Sequence, residues 1–182
     1  MGRLYLVRHG RALAGFGEAV DPGLDDVGLI QAEAVVKKLG GLTRMPILTS
    51  PLLRAQETAV PLARHWRITP AVEEAFSEIP APAGGLAERG QWLKKFMTAS
   101  WKDATIDLGR WRARVISALL RQRDDTVIVS HFMAINAALG VAVGDDRTVV
   151  FMPDNGSITV LDAADGELTL VDRGREASTR VL

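Results

Sequence analysis

Apolar residues along the chain follow two alternating patterns: short continuous runs, and longer stretches with a period of three to four residues. The continuous runs have the length of buried strands, and the periodic stretches indicate amphipathic helices. The predicted strands lie at residues 3–7, 45–50 and 126–130. The predicted helices follow them at residues 24–41, 51–66 and 131–140. Alternation of this kind predicts an α/β fold with three α/β/α layers, in which helices cover both faces of a mostly parallel open sheet.

Capping residues mark where two of these helices begin and end. Asp25 or Asp26 is expected to cap the first helix, and the pair Gly40–Gly41 to stop it. The second helix is expected to open with Ser50 at the cap and Pro51 in the first turn.

The C-terminal part of the chain shows three short strand candidates separated by turn residues. These candidates are TVVFM, SITVLD and ELTLVD, joined by PDNG and AADG. Asn-Gly and Asp-Gly pairs favour the tight turns of β-hairpins. The pattern therefore predicts an antiparallel C-terminal portion of the sheet.

The regular alternation breaks between residues 79 and 107. IPAPAGG is a loop by its proline and glycine content, and LAERGQWLKKFMTASWKD is amphipathic. The segment is interpreted as an insertion. One alternative is that Trp92 and Trp101 pack onto the sheet, and the other is that the insertion covers the site and sets substrate choice.

Length and composition favour one domain over residues 1–182, since a chain of this size can bury its own core. Lys plus Arg and Asp plus Glu both number 22, so nothing in the charge indicates a nucleic-acid or membrane partner. The chain has no cysteine, which excludes disulfides, thiolate metal sites and cysteine nucleophiles. We expect a cytoplasmic protein, and the sequence does not indicate its oligomeric state.

Polar residues follow all three predicted parallel strands. Arg8 and His9 end the first strand. Ser50 and Arg54 follow the second, and His131 follows the third. Because ligands bind at the carboxyl edge of open α/β sheets, we expect these side chains to converge there. Helix N-termini at the same edge favour an anion, and a phosphate is the expected occupant.

Two arginines and two histidines can carry out chemistry on one phosphoryl group. The planar fork of arginine binds phosphoryl oxygens bidentately. A neutral imidazole can attack phosphorus, while a second, protonated imidazole neutralises charge on the phosphoryl oxygens. The leaving group then needs a proton. Glu78, flanked by Phe76 and Ile79, is the candidate acid, because apolar surroundings raise the pKa of a carboxyl group.

Six segments stand in a fixed order along most of the chain: LYLVRHGRA, LDDVGLIQAEAV, ILTSPLLRAQETA, FSEIPAP, VIVSHFMAINAAL and DNGSITVL. An RHG tripeptide alone occurs by chance. RHG after a first strand, SPLxRAxxTA at a helix start and SH after a late strand form a specific combination. It resembles the histidine phosphatase superfamily, also called the phosphoglycerate-mutase-like family. The resemblance implies the same fold, and an activity that requires no metal and no other cofactor.

The resemblance also implies a role for each matching residue. His9 is expected to become a phosphohistidine, Arg8 and Arg54 to bind the phosphoryl group, and His131 to complete the pocket. Glu78 matches the position of the proton donor in the mutase and classical phosphatase branches.

The segment after RHG departs from the mutase pattern. Mutases continue RHG with Glu and, a few residues later, Trp-Asn, whereas Arg11 and Ala12 follow here. The insertion is also shorter than theirs, and both differences favour a phosphatase. Arg11 is expected either to bind a second anionic group of the substrate or to be a solvated surface residue.

The sequence thus predicts a phosphomonoester phosphatase that acts on a small phosphorylated metabolite through a phosphohistidine. Mutase-type transfer, a phosphohistidine-protein phosphatase and a non-catalytic phosphate-binding module are the alternatives. A two-histidine metal site would need a further carboxylate or thiolate at ligand spacing, which the sequence lacks. Substrate choice is expected to lie in residues 11–23 and 79–107, where the resemblance is poorest.

Overall fold

A computed structural model describes residues 2–177 of the 182-residue chain. Its strands are β1 (Gly2–Arg8), β2 (Ile47–Thr49), β3 (Ala71–Val72), β4 (Thr126–Ser130), β5 (Ile158–Ala164) and β6 (Glu167–Asp172). Its helices are α1 (Asp26–Leu39), α2 (Leu53–Trp66), α3 (Leu86–Phe96), α4 (Ile106–Leu120) and α5 (Phe132–Val143), with short 3₁₀ helices at Glu74–Phe76 and Trp101–Asp103. Within the described residues, no helix combines the length and apolar character needed to cross a membrane.

The strands form one sheet in the order β3-β2-β4-β1-β5-β6. β1 pairs in parallel with β4, β4 with β2, and β2 with β3. β5 is antiparallel to β1, and β6 is antiparallel to β5. Arg8 is in register with Ser130, and Thr49 with Val129, so the carboxyl ends of β1, β2 and β4 lie side by side. The predicted mostly parallel sheet with an antiparallel C-terminal portion is confirmed.

Helices cover both faces of this sheet. Successive side chains of a strand point to opposite faces, so Leu4 and Leu6 join a hydrophobic cluster with α4 and α5. Val7 joins a second cluster with α1 and α2. Every residue of β4 is buried, as expected for a strand covered from both sides. The three-layer prediction is therefore confirmed.

The two helices of the second cluster begin close to their predicted positions. Asp25 caps α1 by accepting a hydrogen bond from the N–H of Gly28, as predicted. α2 begins later than predicted, with Leu52 as its N-cap. Oγ of Ser50 accepts a hydrogen bond from the N–H of Leu52 at 3.1 Å. Ser50 and Pro51 thus form a turn before the helix instead of its cap and first turn.

α5 continues to Val143, although the sequence predicted an end at Gly140. The helix stops where Gly144 adopts the left-handed conformation, with a φ of 69°. Gly140 meets a different requirement. A Cβ at this position would lie 2.8 Å from the carbonyl oxygen of Asp145, so glycine lets the chain fold back closely over the helix.

The strand predicted for the segment TVVFM is wrong, since residues 148–152 are irregular. The side-chain oxygen of Asn136 on α5 accepts hydrogen bonds from the N–H groups of Val150 and Phe151, at 2.7 and 3.1 Å. These donors would otherwise need a strand partner. The Asp-Gly turn of AADG does form the predicted hairpin, between β5 and β6.

α4 was not predicted, although its residues carry a helical signal. Thr105 caps the helix by accepting a hydrogen bond from the N–H of Leu108. The buried face consists of Leu108, Trp111, Val115, Ala118 and Leu119. Arginines stand between these positions and obscure the apolar period in the sequence.

Residues 79–107 contain α3 and the second 3₁₀ helix. Trp92 stacks on Phe96, which meets the edge of Trp101. Trp101 is only 7% exposed, and both tryptophans pack into the cluster of α4 and α5. That the segment is an insertion within a single domain stays a prediction.

Candidate active site

Four of the predicted site residues meet at the carboxyl edge of the sheet. Arg8 ends β1 and His9 follows it, Arg54 lies in the first turn of α2, and His131 is the N-cap of α5. Each is at most 8% exposed. The centroids of the two imidazole rings are 5.1 Å apart, and Nε of Arg54 lies 3.3 Å from Nε2 of His9. We call these four residues the cradle.

Hydrogen bonds fix the tautomer of His9. Nδ1 lies 2.6 Å from the carbonyl oxygen of Gly10, and because a carbonyl oxygen only accepts, Nδ1 carries the proton. Nε2 keeps its lone pair and accepts a hydrogen bond from Nε–H of Arg54. Burial, followed by the charges of Arg8 and Arg54, lowers the pKa of His9 well below its usual value. The ring is therefore neutral, with a nucleophilic Nε2.

Main-chain contacts hold the loop that carries His9. Its N–H donates to the carbonyl oxygen of Ser130 at 3.0 Å, and the N–H of Gly10 donates to Oγ1 of Thr58 at 2.9 Å. A Cβ on Gly10 would lie 2.5 Å from the carbonyl oxygen of Gly28. Glycine at this position thus allows the N-terminus of α1 to approach the loop directly.

The Asn155-Gly156 turn, predicted to join two strands of a hairpin, instead braces the cradle. Nδ2 of Asn155 donates to the carbonyl oxygen of His9 at 2.9 Å. The N–H of Gly156 donates to the carbonyl oxygen of Arg8 at 3.0 Å. Nη1 of Arg8 donates in return to the carbonyl oxygen of Pro153 at 2.7 Å. The hairpin prediction is wrong because the segment before this turn is not a strand, and the turn contacts the backbone of Arg8 and His9 instead.

The two arginines of the cradle are buried, and the charge of Glu78 is the largest contribution that opposes the effect of burial on their pKa values. Burial lowers the pKa of Arg8 to about 10 and also lowers the pKa of Arg54. Nη1 of Arg54 comes within only 3.8 Å of the exposed carboxylate of Asp21. Nε of Arg8 has no partner among residues 2–177. Buried cations with spare donors favour an oxyanion such as a phosphoryl group.

Ser50 sets the tautomer of His131. Oγ of Ser50 lies 2.7 Å from Nε2 of His131 and already accepts the N–H of Leu52. Since the Ser50 hydroxyl proton has no other acceptor among residues 2–177, we assign it to Nε2, which leaves the ring proton on Nδ1. Nδ1 is buried and has no partner within the described part of the chain. Burial, followed by the proximity of His9 and the charge of Arg54, lowers the pKa of His131 well below its usual value. His131 is thus a neutral donor, whereas the sequence suggested a protonated imidazole.

Glu78 lies beside the cradle at the N-terminus of α5. Its carboxylate accepts hydrogen bonds from the N–H of Ile79 at 2.9 Å and of Met133 at 3.2 Å. Burial raises the pKa of Glu78, while these hydrogen bonds and the charges of Arg54 and Arg8 oppose the rise. A raised pKa favours the acid form that a proton donor requires. Glu78 also lines a surface cavity of about 670 Å³ between the first 3₁₀ helix and α4.

Arg11 is not brought into the cradle. Its Nε donates to the carboxylate of Asp25 at 2.5 Å, and its backbone N–H donates to Oε1 of Gln31 at 2.7 Å. The side chain is 57% exposed. Arg11 therefore joins the RHG loop to the start of α1, and its role in binding a second anionic group stays a prediction that these contacts do not support.

Two surface segments meet beside the cradle, where Asp21 approaches Arg54, and we call residues 11–23 together with α3 the rim. The guanidinium of Arg89 lies over the ring of Phe16, 4.7 Å from its centroid. Beside this pair the backbones touch, since a Cβ on Gly17 would lie 3.0 Å from Cα of Gly90. The rim thus combines one stacked pair with one close glycine contact.

Sequence reasoning brought Ser50 to the carboxyl edge of the sheet, but it did not find which residues Ser50 and Asn155 contact, nor the position of Arg89 in the rim. Ser50 and Asn155 were interpreted as a cap and a turn residue, and their partners His131 and His9 lie 81 and 146 residues away. No sequence pattern extends over such distances, although Ser50 does belong to the SPLxRA motif. Arg89 stands on a charged helix with no distinguishing spacing.

Comparison with known proteins gives the same family by sequence. The model of the histidine phosphatase superfamily (branch 1) matches residues 4–175. A 2,3-bisphosphoglycerate-dependent phosphoglycerate mutase from Thermoplasma acidophilum is 25% identical over 181 residues, which cover 90% of this chain and 88% of the relative.

Solved structures share the fold over nearly the whole chain. Phosphoserine phosphatase from Entamoeba histolytica, in complex with 3-phosphoglyceric acid, is 25% identical with a TM-score of 0.76, covering 96% of this chain and 98% of its own. A mycobacterial glucosyl-3-phosphoglycerate phosphatase in complex with VO3 is 22% identical with a TM-score of 0.73, covering 95% and 98%. Because the family model spans most of its length, this chain belongs to the histidine phosphatase superfamily, branch 1.

Proposed function

We propose that the protein is a phosphomonoester phosphatase that acts on a small phosphorylated metabolite and forms a phosphohistidine at His9. The observation that carries the proposal is the state of His9, whose neutral ring keeps a lone pair on Nε2 beside the buried Arg54 and close to the charge of Arg8. A nucleophile and its electrostatic support therefore occupy one site.

In the first step, Nε2 of His9 attacks phosphorus and the bond from phosphorus to the leaving oxygen breaks. Glu78 gives its proton to that oxygen. The guanidinium groups of Arg8 and Arg54 and the Nδ1–H of His131 bind the three remaining phosphoryl oxygens, where charge spreads in the transition state.

In the second step, Glu78 is a carboxylate and takes a proton from water. The water oxygen attacks phosphorus, the P–N bond breaks, and its electron pair returns to Nε2 of His9. Inorganic phosphate leaves, with Glu78 again protonated. The raised pKa of Glu78, caused first by burial, favours the acid form that the first step requires.

The similarity to a phosphoglycerate mutase supports a second candidate, in which the phosphoryl group returns to another substrate oxygen. Two features favour hydrolysis. The Glu that follows RHG in mutases is Arg11 here, and its side chain is engaged by Asp25. Two structural relatives are phosphatases named for phosphoserine and for glucosyl-3-phosphoglycerate, both small phosphate esters. The proposed reaction needs no metal, and a cytoplasmic location stays a prediction.

A panel of phosphorylated metabolites and a phosphohistidine peptide, assayed for phosphate release without added metal, tests the proposal. We expect the wild type to release phosphate from at least one small ester and His9→Ala to release none. ³¹P NMR of the same reactions detects transfer without net release, which would indicate a mutase.

Labelling with a ³²P ester tests the intermediate. We expect an acid-labile, alkali-stable label on the wild type that is absent from His9→Ala. Phosphate binding without release or labelling for any compound would contradict the proposal and support a non-catalytic binding module.

A further inference from the structure

We propose that a second cavity, away from the cradle, binds a small organic monoanion in which a carboxylate is attached to an apolar chain. The cavity has a volume of about 720 Å³ and lies between α4, the end of α5 and the turn that joins β5 to β6. Three of its lining residues are arginines, and most of the others are apolar. The inference does not depend on the proposed function, because neither the cradle nor Glu78 lines this cavity.

The cavity and the cradle lie at opposite ends of α5. Val141, in the last turn of the helix, lines the cavity, whereas His131 is the N-cap. Because a helix rises 1.5 Å per residue, these two positions are about 15 Å apart along its axis. A ligand in this cavity therefore does not occupy the place of the phosphoryl group.

Arg112 and Trp101 present two unpaired donors at this cavity. Nε of Arg112 and Nε1 of Trp101 are buried, and neither has a hydrogen-bond partner among residues 2–177. The guanidinium lies over the indole ring, 4.9 Å from its centroid, so the two donors are neighbours. Buried donors without an acceptor cost free energy unless a ligand supplies one. A carboxylate has two oxygens and can accept from both.

The charge of Arg112 is only partly neutralised by the protein. Its Nη1 comes within 3.8 Å of Asp146, and the same carboxylate pairs with Lys102 at 3.4 Å. Burial lowers the pKa of Arg112, and the charge of Asp146 does not fully offset this effect. One carboxylate thus serves two cations, which leaves a positive charge beside the indole ring.

Two further arginines stand at the border of the cavity. Arg121 approaches the carboxylate of Glu73 at 3.9 Å, and Arg123 has no ion-pair partner within the described part of the chain. The field of the cavity is therefore positive and attracts an anion. The apolar part of the lining consists of Ala113, Ile116, Leu120 and Val141.

These features define the class of ligand. A planar carboxylate pairs with a guanidinium through two parallel hydrogen bonds. An apolar chain of several carbons covers the apolar lining, and the volume of the cavity is in the range that holds small organic ligands. Inorganic phosphate offers the charge but no apolar part.

Octanoate is the probe, and the indole N–H of Trp101 is the reporter. Its signal in ¹H–¹⁵N spectra of the full chain is assigned by its absence in Trp101→Phe. We expect octanoate to shift this signal saturably, with and without inorganic phosphate to fill the cradle. Octan-1-ol lacks the charge and acetate lacks the chain, so each should bind at least about tenfold more weakly.

Variants on α4 test the assigned contacts. Arg112→Gln should raise the Kd of octanoate at least about tenfold, and Arg112→Lys should recover part of the loss. Gly109→Leu should also weaken binding, because Gly109 lines the cavity and an added Cβ meets no atom within 4 Å. Arg110→Gln, which removes an exposed arginine paired with Asp107, is the matched control and should leave the Kd unchanged. The Tm of each variant shows that it is folded.

Three results would overturn the inference. The first is the absence of a saturable shift of the Trp101 signal with octanoate. The second is equal binding of octan-1-ol, or an unchanged Kd in Arg112→Gln. The third is a shift that follows the protein concentration and is insensitive to octanoate, since it would mean that a second copy of the chain covers the cavity.

Discussion

The cradle and the rim adjoin each other where Asp21 approaches Arg54, but they are built differently. The side chains of the cradle are at most 8% exposed, and backbone hydrogen bonds from β4 and the turn at residues 153–157 hold its loop. Most residues of the rim are exposed or half-buried. One stacked pair and one glycine contact hold its two segments together. The difference supports the proposal that the cradle performs the chemistry common to all substrates, and we infer that the rim chooses among them.

Replacing the nucleophile is the strongest test of this division. In His9→Ala the turnover of every ester should fall below detection, because no other group in the cradle offers a lone pair to phosphorus. Binding of inorganic phosphate should persist through the remaining arginines, as measured by calorimetry. Hydrolysis by a folded variant would show that the cradle does not hold the nucleophile.

Replacing the proton donor should have the next largest effect. Glu78→Gln should lower kcat by roughly 10²-fold or more, the usual scale for losing a general acid. Esters with a good leaving group, such as p-nitrophenyl phosphate, should lose less, because their oxygen needs no proton. Equal losses for good and poor leaving groups would contradict the role of Glu78.

The same variant should differ from the wild type in stability. Because the pKa of Glu78 is raised above the ordinary carboxyl value of about 4.5, its ionisation destabilises the folded state. This destabilisation is absent where both states are protonated and grows as pH rises from about 4.5 through the folded-state pKa. The Tm of Glu78→Gln relative to the wild type should increase over this window and then level off. A difference that stays constant with pH would contradict the raised pKa.

Removing the partner of His131 should have a smaller effect. In Ser50→Ala, the ring proton of His131 can move to Nε2. The lone pair that this leaves on Nδ1 would then face the phosphoryl oxygens. We expect kcat to fall about tenfold for all esters, the scale of one hydrogen bond. Ser50→Thr keeps the hydroxyl and should recover activity. ¹⁵N NMR of the imidazole tests the tautomer directly, and an unchanged tautomer in Ser50→Ala would refute this explanation.

The smallest effect is expected at the rim. Gly17→Ala places a Cβ 3.0 Å from Cα of Gly90, so the two segments must separate slightly. KM for the preferred ester should rise a few-fold while kcat stays unchanged. Gly41→Ala, with nothing within 4 Å of its added Cβ, is the control. A fall in kcat for Gly17→Ala would show that the rim also takes part in the chemistry.

Local features predicted much of the fold. β4 and α1 have the predicted bounds or nearly so, since a continuous apolar run and an Asp cap are local signals. The strand predicted in TVVFM failed because the side chain of Asn136, a residue of another element, satisfies its backbone. The missed α4 shows that charged residues can obscure a real apolar period.

The site was predictable where it depends on strand ends. Arg8, His9, Arg54 and His131 follow parallel strands, and sheet topology brings these ends together. The contribution of Asn155 was not predictable, because it is made by a side-chain amide reaching a distant backbone carbonyl.

The hydrogen bond from Asn155 to His9 also has a consequence for how the protein is made. On the ribosome, β1 emerges before the turn that carries Asn155, and the amide that secures the histidine after β1 follows 146 residues later. The nascent chain therefore carries its reactive imidazole unsecured while the residues between them are synthesised. Catalytic competence arrives only with the turn at residues 153–157.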